Sequence, residues 1–409
     1  MLRRIWNRLY IVYNRVAHGG YALMKVFMRW RTPTTVTGEG SIARVPEILA
    51  ACGASRPLVV TDPWLREHLA PRLEAALRDG GVSYALFSDV LPNPTIENCE
   101  RCRDAYLAGG CDSLVAMGGG APMDVAKMCG ALIARPDKDI RRFWSKFGVR
   151  KRLPPLIAVP TTAGTGSETT LAAVIVDQDT HHKFAVMDPV LMPLYAVLDP
   201  LLTAGLPPFV TATTGLDTLV HALEAYFSRS NSTRETNQLA EDAVRIVFRF
   251  LERAYRDGSD MEARAQMQIA ANKGGFAFSR VGVGNVHAIA HTLGGLYNVP
   301  HGLANAVILP HVLRDYGPVI EKKLAYLAEC VGLCFGGTEA ERAAAFIAEV
   351  EAMNGRMGIP KHFDCIRDED VEQMITWAMK EANPVYPVPQ VYTREHFRRV
   401  IAEIRAPKQ

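Results

Sequence analysis

Apolar positions between residues 57 and 160 fall into four short continuous runs rather than one long pattern. They are Pro57–Asp62, Ser83–Phe87, Asp112–Met117 and Pro155–Pro160. Continuous rather than alternating apolarity is the mark of strands covered on both faces, as in a parallel sheet. The stretches between them are of helix length, which predicts a doubly wound α/β arrangement. From Pro207 onward the period changes to that of helices. Runs over Val210–Phe227, Asn237–Tyr255, Met261–Ala277 and Asn285–Leu293 carry apolar faces, with no convincing strand among them. An α/β half covering 32–206 followed by an all-helical half covering 207–409, with a cleft between them, is the expectation.

Residues 1–31 follow a third pattern. Leu2, Ile5, Trp6, Leu9, Val12, Tyr13 and Val16 recur at helical spacing with Arg4, Arg8 and Arg15 opposite, Gly19 and Gly20 break the run, and Tyr21 to Trp30 resume it. Seven basic residues and no acid occur in this stretch. It lacks the 18–20 apolar residues a membrane span needs, and the apolar core and cleavage site of a secretory signal. Three readings stay open: a basic amphipathic helix lying in a membrane interface, a helical hairpin docked on the body or on a partner subunit, and a transit peptide. The last is disfavoured because no Ser precedes Ser41.

Composition narrows the class. Hydrophobic residues at 48% and charged residues at 22% describe a globular chain, and a net charge of +3 gives no reason to invoke nucleic acid. The eight cysteines make no secreted framework. Cys99 and Cys102 sit at helical spacing without a second CxxC, so free thiols in a reducing, cytoplasmic setting are expected.

The candidate chemistry lies in both halves. Gly118, Gly119 and Gly120 follow the third strand directly, where glycines let a backbone approach a pyrophosphate and a helix N-terminus supplies unpaired N–H groups. Asp124 and Lys127 lie on the helix beyond. A second turn bearing Thr161, Thr162 and Thr165 follows the fourth strand, so the two together resemble a dinucleotide site although the spacing is not GxGxxG. Asp62, ending the first run, suits a ribose hydroxyl and repels a 2′-phosphate, which favours NAD over NADP. In the helical half, Asp217 and His221 stand one turn apart, as do His287 and His291, and His301 precedes Gly302. An Asp with His221, His287 and His301 makes a mixed oxygen and nitrogen set suited to Fe(II) or Zn(II) rather than Ca or Mg.

These stretches resemble the iron-containing (group III) alcohol dehydrogenase family. The matching segments are Leu91–Thr95, Gly118–Lys127, Pro160–Glu168, Thr214–Tyr226, and Val286–Gly294 through Pro300–Ala306, in order along residues 32–405. The resemblance implies a dehydroquinate synthase-like fold and a metal-dependent hydride transfer between a primary alcohol and NAD; a membrane-seeking N-terminus, outside the resemblance, would suit a medium- or long-chain substrate. It implies Fe2+ on Asp217, His221, His287 and His301. Cofactor contacts carry over to Asp62, Asn93, Gly119, Gly120, Asp124, Thr161, Thr162, Thr165 and Lys183. His291 matches the family histidine near the nicotinamide, a catalytic position for relaying a proton or orienting the cofactor. It implies at least a dimer. Ala121 departs from the family's usual Ser and removes one hydroxyl. The rivals are a Zn2+ polyol dehydrogenase on the same fold and a non-catalytic, membrane-associated nucleotide- and metal-binding subunit.

Overall fold

The computed structural model describes residues 2–26, 30–144, 147–180 and 182–407. Its first helix, α1 (Leu2–Val26), is continuous. Gly19 and Gly20 therefore do not break the N-terminal pattern: two glycines weaken a helix without ending it, and the run through them stays in register. Of the three open readings, the hairpin is corrected to one helix over Leu2–Val26, and the resumed run's Phe27 and Met28 lie outside the described residues.

Contacts divide the chain into two units. The first comprises Arg29–Leu206 with Gly258–Gly275. It holds six parallel strands: β1 (Thr34–Thr37), β2 (Pro57–Val60), β3 (Ala85–Phe87), β4 (Ser113–Gly118), β5 (Leu156–Pro160) and β8 (Tyr195–Leu198), in the order β1-β8-β5-β4-β2-β3. The helices α2 (Val45–Ala51), α3 (Pro63–His68), α4 (Ala70–Asp79), α5 (Ile96–Ala108) and α6 (Gly120–Ala134) connect them. Every residue of β2, β4 and β5 is buried, which is why those strands read as continuous apolar runs. Two apolar clusters lie on the sheet: Leu58, Leu114 and Ala116 belong to one, and Val59, Val115 and Ile157 to the other. Alternate residues thus serve opposite faces.

Three strands and a hairpin partner went unpredicted. β1 has the sequence Thr-Thr-Val-Thr with only Val36 buried, so an edge strand leaves almost no apolar trace. β8 is short and flanked by Pro193 and Pro200. The antiparallel pair β6 (Ala172–Asp177) and β7 (His182–Met187) turns without an Asn-Gly or Asp-Gly pair to announce it.

The second unit contains Met1–Met28, Pro207–Asp257 and Phe276–Gln409. Its helices are α7 (Pro208–Phe227), α8 (Arg234–Arg256), α10 (Asn285–Tyr297), α11 (His301–Tyr316), α12 (Glu321–Cys330), α13 (Glu339–Arg356), α14 (Val371–Ala382) and α15 (Arg394–Ile404), while α9 (Met261–Val281) is shared between the units. The helical period of the second half is therefore borne out. α7 is buried from Leu216 through Phe227, a helix enclosed on all sides. Two glycines set its packing. A Cβ on Gly215 would stand 2.2 Å from Leu251 Cδ1, and one on Gly302 would stand 2.4 Å from the Thr213 carbonyl oxygen. The second contact brings the start of α11, and so His301, against α7. All eight cysteines are free thiols, and Cys99 and Cys102 are buried as expected.

Candidate functional site

In the α/β unit, β4 and β5 are neighbours, with Gly118 opposite Pro160. Their carboxyl ends therefore bring the glycine turn and the threonine turn together. Gly118 has φ 154° and a Cβ there would collide with Pro122 at 2.4 Å, so no other residue fits. Gly119 precedes α6 and Gly120 begins it. Cβ atoms on these two would stand 3.4 Å from Thr162 Oγ1 and 3.4 Å from Thr165 Cγ2. The threonines thus form the wall opposite the glycine backbone, at the N-terminus of a helix with no acid in its first turn. Thr161 is buried and its N–H donates to the Gly118 carbonyl, 3.0 Å.

β2, β3 and β4 mark where the strand order reverses, since β2 lies between the other two. Ligands of open α/β sheets bind at the carboxyl ends around such a point. Asp62 lies two residues beyond the end of β2 and caps α3, its Oδ1 accepting from the Leu65 N–H at 2.9 Å. Lys183 on β7 donates to Asn93 Oδ1 at 3.3 Å, joining two residues 90 apart in sequence. The Leu91–Thr95 turn is held to the hairpin as well, since the Val176 N–H donates to the Pro94 carbonyl. Asp124 accepts from the Val174 N–H at 3.0 Å and from the Ser167 hydroxyl at 3.2 Å, and burial raises its carboxyl above the ordinary range. Lys127 is fully buried and donates to Ser167, Thr170 and Ala172 acceptors within 2.9 Å. Together they fix the Ser167–Val174 segment that follows the threonine turn.

In the helical unit, Asp217, His221, His287 and His301 come together, one ligand atom of each lying within 4.8 Å of all the others. Two come from α7, one from α10 and one from the first residue of α11. Asp217, His221 and His287 are buried, whereas the His301 side chain is 38% exposed, so the cluster is open on one side. His221 is stacked between His287, 4.8 Å between centroids, and Phe278, 4.1 Å.

One residue absent from the expected site organises it. Glu224, on α7, accepts from the Gly284 and Val286 N–H groups and takes His287 Nδ1 at 2.6 Å. It caps α10 and fixes the imidazole with Nε2 toward the cluster, as metal-binding histidines commonly require. Burial pushes its carboxyl up to about 8 and pulls His287 well below the ordinary imidazole range. The signal was present in sequence: Asp217, His221 and Glu224 stand at helical spacing on one face.

A cation fits this set. Four acceptor atoms converge, and the Asn305 amide nitrogen already lies among them, 2.7 Å from Asp217 Oδ1, 3.2 Å from His301 Nε2 and 3.3 Å from His287 Nε2. Its buried Oδ1 has no partner. A donor drawn into a nest of acceptors marks where positive charge is favoured.

His291 stands beside the cluster, its ring 5.2 Å from His301 and 6.0 Å from His287. Its Nδ1 meets Glu381 Oε1 at 2.5 Å, and the Tyr386 hydroxyl donates to the same oxygen at 2.6 Å. Burial, reinforced by Glu381, raises the Tyr386 phenol well above its usual range, keeping it a donor. Glu381 was not anticipated, because it is 90 residues from His291 in sequence; Tyr386 belongs to the Asn383–Pro389 segment, a candidate pocket lining in the sequence. The sequence offers Trp144, Phe147, Phe276, Phe278 and Asn383–Pro389 as candidates to line a substrate pocket; of these Phe278 reaches the cluster, stacked on His221, and the Trp144 side chain lies outside the described residues.

Residues 32–200 match the model of the iron-containing alcohol dehydrogenases, and 211–404 that of the C-terminal part of the Fe-containing alcohol dehydrogenase family. The 1,3-propanediol dehydrogenase of Klebsiella pneumoniae is 36% identical over 85% of this chain and 90% of its own length. The chain belongs to the iron-containing alcohol dehydrogenase family. A solved 1,3-propanediol oxidoreductase superposes with a TM-score of 0.89 at 33% identity, covering 92% of this chain and all of that one. The sulfoacetaldehyde reductase of Bifidobacterium kashiwanohense, solved with NAD+, gives 0.82 at 27% identity over 93% of this chain and 100% of that one. Membership makes the protein an oxidoreductase of alcohols and aldehydes, with the family's α/β and helical halves. The family match begins at residue 32, after α1.

Proposed function

We propose that the protein interconverts primary alcohols and aldehydes with Fe2+ and NAD. The convergence of Asp217, His221, His287 and His301 within 4.8 Å carries this reading. These four residues would hold the ion, Zn2+ being the alternative for a borderline set. When bound, the ion supplies Lewis acidity at the substrate oxygen and the nicotinamide accepts or returns hydride.

The chain's own groups do the rest. Glu224 keeps His287 in one tautomer, and Asp217 contributes negative charge that favours a divalent ion. His291 handles the hydroxyl proton through Nε2, since Nδ1 is occupied by Glu381. Glu381 and Tyr386 are positioning residues, holding the imidazole at a fixed angle beside His301. In the α/β unit, backbone N–H groups at Gly119 and Gly120 with Thr161, Thr162 and Thr165 would take the pyrophosphate. Asp124, Asn93 and Lys183 brace and border that turn. Asp62 would receive a ribose hydroxyl and repel a 2′-phosphate, so NAD is preferred over NADP.

We further assign the enzyme to the cytoplasm as a homo-oligomer, with residues 1–31 in contact with a membrane surface rather than in the chemistry. A medium- or long-chain alcohol suits that placement. Iron-reconstituted protein assayed by NADH absorbance with NAD and NADP across an alcohol chain-length series tests the reading. Turnover with NAD that rises with chain length is expected; absence of turnover with every alcohol would reject it.

A further inference from the structure

The way α1 is docked is inverted. The side turned inward carries Asn14 and His18, both buried, and Arg15 donates to the Val388 and Pro389 carbonyls at 2.7 and 2.6 Å. The outward side carries Trp6, Leu9, Val12, Tyr13, Val16 and Leu23, each at least 57% exposed. At about 100° per residue these six fall within one arc about 120° wide that contains no charged position between Trp6 and Leu23. An amphipathic helix on a globular body normally buries its apolar stripe. Here two polar side chains are buried instead, His18 without a hydrogen-bond partner on either ring nitrogen.

We infer that this outward face is a docking surface for an anionic lipid bilayer. The inference rests on the membrane assignment made above and adds the face, the orientation and the lipid chemistry. Charge selects the occupant. Residues 1–38 contain seven cations and no acid; of the cations, Arg15 is turned inward. Arg8 is exposed beside the apolar arc. Trp6 and Tyr13 have the mixed apolar and polar character favoured at the headgroup boundary. A second copy of the chain would bring the same cations against each other. No helix among the described residues is long and apolar enough to cross a membrane, so α1 would lie in the interface plane while the Arg15 bonds keep it attached to the enzyme.

Flotation of the full-length protein with phosphatidylcholine vesicles, with and without phosphatidylglycerol, tests this, alongside Leu9→Glu and Val16→Glu. Both positions are exposed, so thermal melting should be unchanged. The expected result is at least about tenfold more protein floating with anionic vesicles, given roughly fivefold per basic residue near the surface. Loss of flotation in both variants is expected, with unchanged mass in sedimentation. No flotation of the wild type would remove the membrane assignment itself. Flotation undiminished in both variants would leave that assignment standing and overturn the face. A drop in sedimenting mass in the variants would mean the face joins two copies, which also overturns the inference.

Discussion

A histidine offers a cation one nitrogen and is aimed by the other, so the acceptor on the far nitrogen controls the site. For His287 that acceptor is Glu224 at 2.6 Å. Glu224→Gln keeps the shape but puts an amide, able to turn its nitrogen toward Nδ1, where the carboxyl stood, and should weaken iron binding roughly 10–100-fold, measured by titration of the metal-free protein. His287→Ala and His301→Ala delete ligands outright and should remove bound iron and turnover together; activity surviving without metal would reject the mechanism. For His291 the acceptor is Glu381. Glu381→Gln should lower kcat by about 10²-fold or more, the range of a misaligned proton-transfer group, with little change in KM. Nitrogen-15 NMR of the metal-free protein separates aiming from folding: wild type should show His291 protonated at Nδ1, and the variant a mixture. Of these residues, Asp217 with His221 and His287 with His291 were legible in sequence because each pair shares a helix turn; His301 stood out by the glycine after it, and the role of His291 by the family resemblance. Glu381 was not, since 90 residues separate it from His291.

Element geometry explains both what could be read and what could not. β2, β4 and β5 announced themselves because burial on both faces forces continuous apolar runs, and the glycine and threonine turns stood out at the carboxyl ends of β4 and β5. β1 and the β6–β7 pair left no comparable trace. Gly302 is the element-scale counterpart of the ligands. Its missing Cβ lets α11 approach α7, with 2.4 Å to the Thr213 carbonyl as the alternative. Gly302→Ala should lower stability by about 1–3 kcal/mol through overpacking and reduce iron affinity, seen as a lowered Tm and incomplete metal loading. The docking of α1 has a pH dependence of definite sign. Burial, with Arg15 adding to it, lowers His18 to about 4 from an ordinary 6.5. The docked helix therefore excludes the proton. Docking is at full strength above pH 6.5, weakens as pH falls, and levels off below about 4. The hydrogen-exchange protection factors of residues 2–26, corrected for the intrinsic pH dependence of exchange, should fall between pH 7 and 4.5, and His18→Leu should abolish that fall.

At the scale of the whole molecule, the sequence carried the two kinds of architecture because a doubly covered sheet and an array of helices have different periods. It gave no sign that Gly258–Gly275, in a helical stretch, packs with the α/β unit, since period reports on an element and not on its neighbours. The family match over 32–200 and 211–404 and the convergence of ligands from three helices point to the same chemistry. X-ray absorption at the iron edge of the reconstituted protein tests that convergence most directly. The account predicts a first shell containing one carboxylate oxygen and three imidazole nitrogens at roughly 2.0–2.2 Å, lost in His287→Ala. A shell without imidazole scattering, or one unchanged by that substitution, would contradict it.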